Sequence, residues 1–328
     1  MIDVNVLAHE IAANRGEAGL EPVIAKEIVH YEILRLLSDE GHLDALAFQG
    51  GTCLRVVYGA RRYSEDLDFC AGEAFEDVNP HLLASTLRDA LADAFGLPVR
   101  VKEPAAGGRD IGKVMVKRWT IAIDTTSARA DIPLQKIKLE VADVPFHTRE
   151  ARSIRCDFAE LPSSYSAVFV PCESVSEIIA DKIVAFANTE KYIRWRDLWD
   201  LHAVGVGEVG RTEEVAGLVR LKHVDYGCIP SLAELLGRGM ERASQQMHSD
   251  AFASEMARFL PRRVVDTTLR RGENRTAFAE ELLMLYEDVA DELGIAEEAA
   301  AARQRLATGQ VARLGKEAPA RNAAPRRR

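Results

Sequence analysis

Residues 48–69 read "FQGGTCLRVVYGARRYSEDLDF", and this stretch decides the fold. The apolar "ALAF" (45–48) is a strand candidate that runs into Gly50-Gly51-Thr52. "CLRVVYG" (53–59) reads as a short helix closed by Gly59, and "DLDFC" (66–70) alternates strictly, as a strand does. Side chains two apart on a strand share a face. Asp66 and Asp68 therefore project side by side while Leu67 and Phe69 turn into the core. Two such carboxylates repel each other unless a cation lies between them. A hard divalent ion, Mg²⁺ or Mn²⁺, suits oxygen donors, above all when a substrate triphosphate completes its shell. Gly50 and Gly51 allow close backbone approach to a phosphate. Thr52 lends a hydroxyl, and the helix that follows points its N-terminus at the anion. Gly-Gly-Thr alone is more often just a tight strand-to-helix turn, and Asp-x-Asp alone is commonly a solvated pair. Their succession within one short segment is what gives them weight.

A third carboxylate on a neighbouring strand would complete a site for in-line phosphoryl displacement. Glu140, flanked by Leu139 and Val141 in the strand candidate 134–142, has the right setting; Asp124, at the end of the candidate 113–124, is its rival. A further strand candidate spans 97–102, and "SAVFV" (166–170) is an apolar run ending at Pro171. Helical spacing marks 22–39, with Pro22 near its start, and 79–95, with Asn79 as N-cap and Pro80 at the first position. From Ser174 onward the pattern turns helical: 174–193 opens on Ser174 with Glu177 three residues later, a capping-box spacing, and "RWRDLWDLHAV" (194–204) continues as helix. Strand candidates thus lie before residue 172 and helical patterns after it. The expected division is an α/β part over 1–172, a helical part over 173–310 and a basic, disordered tail over 311–328.

Composition sets outer bounds. With 47% hydrophobic and 28% charged residues among 328, the chain has a soluble globular make-up. No apolar run is long enough to cross a bilayer, and the first residues do not pattern as a signal peptide. Five scattered cysteines without a Cys-x-x-Cys pair point to a reducing cytoplasm rather than a disulfide framework or structural zinc. The net charge is −9; the last 18 residues carry +5, which leaves −14 on the rest. An acidic body has no general affinity for nucleic acid, so an RNA partner would need a local patch. Lys113, Lys117, Arg118, Lys136 and Lys138 alternate on two strand candidates: they suit either an RNA groove or an exposed sheet edge blunted by lysines.

The segment 48–69 resembles the signature of the AbiEii/AbiGii-type nucleotidyltransferase toxins, a branch of the polymerase-β-like superfamily. The matching positions are Gly50, Gly51, Thr52, Leu54, Arg55, Tyr58, Arg62, Ser64, Asp66, Leu67, Asp68 and Phe69. A second similarity lies in "SEIIADKIVAFANTEKYIRWRDLWDL" (176–201), at Glu177, Lys182, Arg196, Asp197 and Asp200, with Trp199 where tyrosine is usual. The resemblance implies an α/β nucleotidyltransferase domain with a short mixed sheet, followed by an α-helical domain that completes the active-site cleft. It implies Asp66, Asp68 and Glu140 as metal ligands, Lys182 as a contact to the nucleotide phosphates, and Asp197 as its acidic partner. Gly50, Gly51, Thr52, Arg62 and Ser64 are expected around the bound nucleotide. Arg196 and Asp197 are also open to reading as a structural ion pair. The implied function is that of a toxin moving a nucleotide from an NTP to RNA, with tRNA 3′ ends the favoured acceptor, neutralised by an AbiEi-like antitoxin. Transfer to a small hydroxylated molecule, which the acidic body favours mildly, and an NTP-binding module without turnover are the competing expectations.

Overall fold

The computed structural model describes residues 3–105, 108–111, 114–124, 135–189, 191–246 and 249–314. Its sheet contains β1 (Ala47–Gln49), β2 (Leu67–Cys70), β3 (Val99–Lys102), β4 (Arg109–Ile111), β5 (Val114–Ile123), β6 (Gln135–Ala142), β7 (Glu150–Ser153) and β8 (Phe169–Cys172). The strand order is β3-β5-β6-β2-β1-β8-β7, with β4 paired to the other end of β5. β2 runs parallel to β6 and β1 parallel to β8, and the remaining pairs are antiparallel. The sheet is therefore mixed.

Alternation along β5 and β6 makes that sheet two-faced. Trp119, Ile121, Ile123, Ile137, Leu139 and Val141 are buried, while the residues between them reach solvent wholly or in part. Helices α1 (Val4–Arg15), α2 (Glu21–Asp39) and α4 (Pro80–Phe95) share one apolar cluster with that buried face. In α4 the Asn79 side chain accepts from the amides of His81 and Leu82, and Pro80 occupies the first turn, where no amide partner is lost. Leu83, Leu87, Leu91 and Phe95 then recur on one side of the helix and are buried. The Trp119 indole Nε1 donates to the Pro80 carbonyl at 3.0 Å, fixing α4 across β5.

After α3 (Gly50–Val56) and β8 the chain is helical: α5 (Val175–Asn188), α6 (Trp195–Ala203), α7 (Thr212–Asp225), α8 (Leu232–Gln246), α9 (Asp250–Met256), α10 (Arg262–Thr268), α11 (Gly272–Glu292) and α12 (Ala296–Leu314). A second apolar cluster draws on Ile179 to Ala299. From this region the first takes in Ile178 and Phe259, with Val204 packed against it. Of the tail expected to be disordered, 311–314 belong to α12 and 315–328 lie outside the described residues.

Several expectations shift. The helix beginning at Ser174 ends at Asn188 rather than at 193, and α6 is a separate helix. Arg242 of α8 donates to the carbonyls of Phe186 at 3.0 Å, Thr189, and Tyr192 at 3.3 Å, capping α5 and pinning the turn after it. Glu177 does not close a capping box. Its carboxylate accepts from the amides of His147 at 2.8 Å and Thr148 at 2.6 Å and pairs with Lys222 at 2.7 Å. Lys222 is fully buried and also meets Glu173 at 3.2 Å and Asp181 at 3.3 Å, joining α5, α7 and the end of β8. Burial, with Asp181 beside it, pushes the Glu173 carboxyl well above its usual range. β8 runs on through Pro171 to Cys172, where β7 flanks it. Lys117 lies buried, its Nζ donating to the carbonyls of Phe75 at 2.6 Å and Val78 at 3.2 Å, so it belongs to no exposed groove. Lys113 lies outside the described residues.

Candidate active site

Strand register builds the first wall. Asp68 on β2 stands beside Glu140 on β6, and Gln49 at the end of β1 stands beside Asp68. Asp66, immediately before β2, keeps the same-face parity. All three acids line a cleft of about 1240 Å³, together with Gly50, Arg62 and Ser64. Asp124 follows the end of β5, six residues beyond Arg118, the residue opposite Glu140. At strand rise that is about 20 Å away, and Asp124 is not among the lining residues.

The Gly-Gly-Thr turn shapes this wall by what it leaves out. Gly50 has φ +78°, and a Cβ there would stand 2.8 Å from Asp68 Oδ2. At Gly51 a Cβ would stand 2.3 Å from Arg62 Nη2 and 3.1 Å from Ser64 Oγ. Absence of both side chains lets the Asp68 carboxylate and the Arg62 guanidinium lie against the start of α3. The Thr52 hydroxyl donates to the Asp66 backbone carbonyl, tying the helix to the start of β2.

The second wall comes from α5, the turn after it and α6. Lys182 is buried, its Nζ 2.8 Å from Asp197 Oδ1 and 2.9 Å from Asp200 Oδ2. Arg62 crosses from the sheet side to donate to both oxygens of Asp200 at 2.8 and 2.6 Å, and Arg194 pairs with Asp197. Three cations and two carboxylates leave this cluster with one net positive charge, facing three acids across the cleft. Burial opposes ionisation of Asp197, but Arg194 and Lys182 outweigh it and hold the carboxyl well below its usual range. Burial likewise opposes the charge on Lys182, and Asp197 and Asp200 outweigh it, raising the ammonium pKa. Lys191, Arg196 and Arg238 add basic groups to the lining. Arg196 reaches Glu65 at 3.7 Å, and Glu65 also accepts from Lys26 at 2.5 Å. Arg196 therefore pairs with Glu65, whereas Asp197 pairs with Lys182 and Arg194.

The structure thus gathers Asp66, Asp68, Glu140, Lys182 and Asp197 around one cleft, with Gly50, Arg62 and Ser64. Gly51 and Thr52 stand behind the first wall. Arg62 is engaged with Asp200 and the Tyr63 carbonyl. Sequence reasoning left Arg194 out of the site. The signal was available: Arg194 sits three residues before Asp197 at the start of a helix, within side-chain reach.

The acids suit a divalent cation in kind, being all oxygen donors in adjacent register. Burial, then the carboxylates of Glu140 and Asp66, push the Asp68 carboxyl up to about 7. An added positive charge would relieve that repulsion. The set is not converged here: Glu140 accepts from Arg118 Nε at 2.6 Å and Asp66 from Lys138 Nζ at 3.3 Å. Among the described residues, no three acidic, histidine or cysteine side chains stand close enough to cage an ion.

The family profile described as nucleotidyl transferase AbiEii toxin, type IV toxin–antitoxin system, matches residues 32–280, and the chain belongs to that family. It is accordingly a nucleotidyltransferase of a toxin–antitoxin class, a class that implies an antitoxin partner. Among solved structures it is similar to MenT4, a nucleotidyltransferase toxin from Mycobacterium tuberculosis H37Rv, at 18% identity and a TM-score of 0.48, covering 92% of this chain and 98% of that one. It is also similar to JHP933 from Helicobacter pylori, at 18% identity and a TM-score of 0.42, covering 86% and 97%. A putative nucleotidyltransferase from H. pylori has 16% identity and a TM-score of 0.40, covering 81% and 96%. A search of curated proteins gave no match. No helix among the described residues is long and apolar enough to cross a membrane.

Proposed function

We propose that the protein transfers a nucleotide from an NTP to an RNA hydroxyl, with the tRNA 3′ end as acceptor and an AbiEi-like protein as its antitoxin. Residues 1–172 act as the nucleotidyltransferase domain and 173–310 as the helical domain that closes the cleft. The observation carrying this reading is the facing of Asp66, Asp68 and Glu140 by Lys182, itself held by Asp197 and Asp200.

In this reading Asp66, Asp68 and Glu140 hold Mg²⁺ or Mn²⁺, whose bound charge would polarise the α-phosphate and offset the negative charge of the leaving pyrophosphate. Lys182 presents the net positive cluster to the triphosphate. Asp197 and Asp200 keep that ammonium charged and fix its position. A carboxylate of the first wall accepts the proton of the attacking hydroxyl. The bond to the α-phosphorus forms as the bond to pyrophosphate breaks. Gly50 keeps the floor of the cleft low enough for phosphate approach, and Gly51 behind it makes room for Arg62 and Ser64.

The test is incubation of purified protein with total tRNA, Mg²⁺ and each α-³²P-labelled NTP in turn. Label on RNA with one NTP, abolished by EDTA and by Asp66→Ala, is the expected result. Labelling of a small hydroxylated molecule with none on RNA would overturn the RNA reading and leave the transferase class intact.

A further inference from the structure

The acid wall does not end at Glu140. Directly paired residues in a sheet share a face, so the registers can be followed outward from the cleft. In the row of the acids, Gln49, Asp68, Glu140 and Arg118 stand side by side across β1, β2, β6 and β5. Two residues further along β6, Lys138 pairs with Thr120, which pairs with Lys102 on β3. Two residues beyond that, Lys136 pairs with Ala122, which pairs with Arg100. One face of the sheet thus carries Arg100, Lys102, Arg118, Lys136 and Lys138, with only small side chains, Thr120 and Ala122, between them.

This face is open. Arg100, Lys102, Lys136 and Lys138 are exposed. Trp119, Ile121, Ile123, Ile137, Leu139 and Val141 pack into the cluster that includes α2 and α4, on the reverse side, while Val114 and Val116, beyond Arg118 toward the cleft, are buried with Cys70 and Val144. The basic field spans about 14 Å along β6, from Glu140 to Lys136, and roughly 10 Å across from β6 to β3. Its cleft end touches the acids, through Arg118 on Glu140 and Lys138 on Asp66. Edge blunting bears on Arg100 and Lys102, since β3 ends the sheet, and on Lys136 and Lys138, which lie outside the β2–β6 pairing of Leu139–Ala142, but it gives no reason for Arg118 and Lys138 to reach the acids of the cleft. On a chain of net charge −9, three rows of cations ending at a catalytic cleft are a local reversal of sign.

We infer that this sheet face is the track along which the acceptor RNA lies, its phosphates on Arg100, Lys102, Lys136 and Lys138 and its reactive end at the acids. The inference rests on the RNA reading of the cleft and adds the surface that delivers the RNA. The seven track residues named above include no aromatic side chain for a base to stack on, and Trp119 is buried on the other face. The track therefore grips backbone, and its binding is tolerant of sequence and sensitive to salt.

The test uses the full-length triple variant Arg100→Glu/Lys102→Glu/Lys136→Glu, which leaves the cleft residues intact. Fluorescence anisotropy with a labelled single-stranded 20-nucleotide RNA and with total tRNA is followed over a salt series. The variant is expected to bind at least tenfold more weakly, with NTP binding and the unfolding midpoint unchanged. The slope of log K against log salt should shrink by about 2, the loss of three phosphate contacts. The neutral variant Arg100→Gln/Lys102→Gln/Lys136→Gln should fall between it and wild type. Equal RNA affinity in variant and wild type, or no RNA binding by the wild type at low salt, overturns the track. Loss of polyglutamate binding with RNA affinity kept would assign the face to an acidic protein and overturn it as well. Labelling separates the two readings: if the wild type binds RNA through the track but no NTP labels that RNA, the transfer reading fails and the track stands.

Discussion

The two walls of the cleft carry opposite charge and are built by opposite means. The acid wall is made by register: neighbouring strands place Asp68 beside Glu140, and a two-residue step places Asp66 near them. Burial and the carboxylates of Glu140 and Asp66 outweigh the charges of Lys182 and Arg196 at Asp68, and its carboxyl is pushed up to about 7. The basic wall is made by mutual neutralisation: Lys182, Arg62, Arg194, Asp197 and Asp200 satisfy one another out of water. Buried ion pairs contribute little net stability when complete and cost heavily when one member is removed. The acid wall should therefore tolerate substitution structurally and fail chemically, whereas the basic wall should fail in both ways.

The sharpest way to break this contrast is Asp68→Asn. Transfer should fall by about a thousandfold, roughly 4 kcal/mol of barrier, with the urea midpoint unchanged or raised; a fall in stability by several kcal/mol would show that the acid wall is structural too. Asp200→Ala tests the other wall. It strands Arg62 and shares Lys182 with Asp197 alone, and urea titration should show a loss of about 3–5 kcal/mol. The double variant Arg62→Met/Asp200→Leu should recover much of that stability without recovering transfer.

Acid should loosen the lead-in to the first wall. Burial is the main cause that lowers the His30 imidazole to about 4, against an ordinary 6.5; its Nε2 lies 3.1 Å from the Glu65 carbonyl. Between those pH values the unfolded chain binds a proton that the folded chain refuses. The His30 contribution to stability is therefore lost as pH falls from about 6.5 to 4, by about 3 kcal/mol, while Asp68, pushed up to about 7, contributes in the opposite sense over the same range. Urea titrations of wild type and His30→Gln across that range check it, since the variant should lack this part of the slope. The smallest effect expected is that of Arg242→Ala, which frees the turn after α5 by removing charged hydrogen bonds to its carbonyls. It should cost about 2 kcal/mol and raise KM for NTP more than it lowers kcat, measured by steady-state transfer.

This contrast also divides what could be read from the amino-acid order. The acid wall was legible because strand parity is a local property: Asp66, Asp68 and Glu140 follow from alternation, and β5 and β6 lie within a residue of their expected spans. The choice of Glu140 over Asp124 waited for the pairing of β2 with β6, which alternation cannot supply. The basic wall was legible only through family resemblance, since its contacts join residues far apart in the chain. Arg62, expected at the nucleotide, lines the cleft while holding Asp200, 138 residues later. Glu177 has the spacing of a helix cap from Ser174, yet Lys222 and the 147–148 amides claim its carboxylate. The break between α5 and α6 leaves no local mark because Arg242, which stabilises it, lies some 50 residues downstream. The basic cluster on β5 and β6 was visible as composition, and alternation alone sets Lys117 with Trp119, Ile121 and Ile123, but only pairing adds Arg100 and Lys102 to the open face.

Gly50 carries a consequence for the gene as well as for the protein. Its φ is positive, and a methyl group added there would stand 2.8 Å from Asp68 Oδ2. One extra carbon atom therefore displaces an acid of the cleft while every ionisable group stays encoded. For a member of a toxin family, this position offers a single-codon route to disarmament that an inspection of charged residues would miss. Selection for hosts that survive expression should recover replacements at Gly50 that still yield folded, antitoxin-competent protein; survivors that carry only truncations or changes at the acids would show that the turn has more room than its backbone suggests.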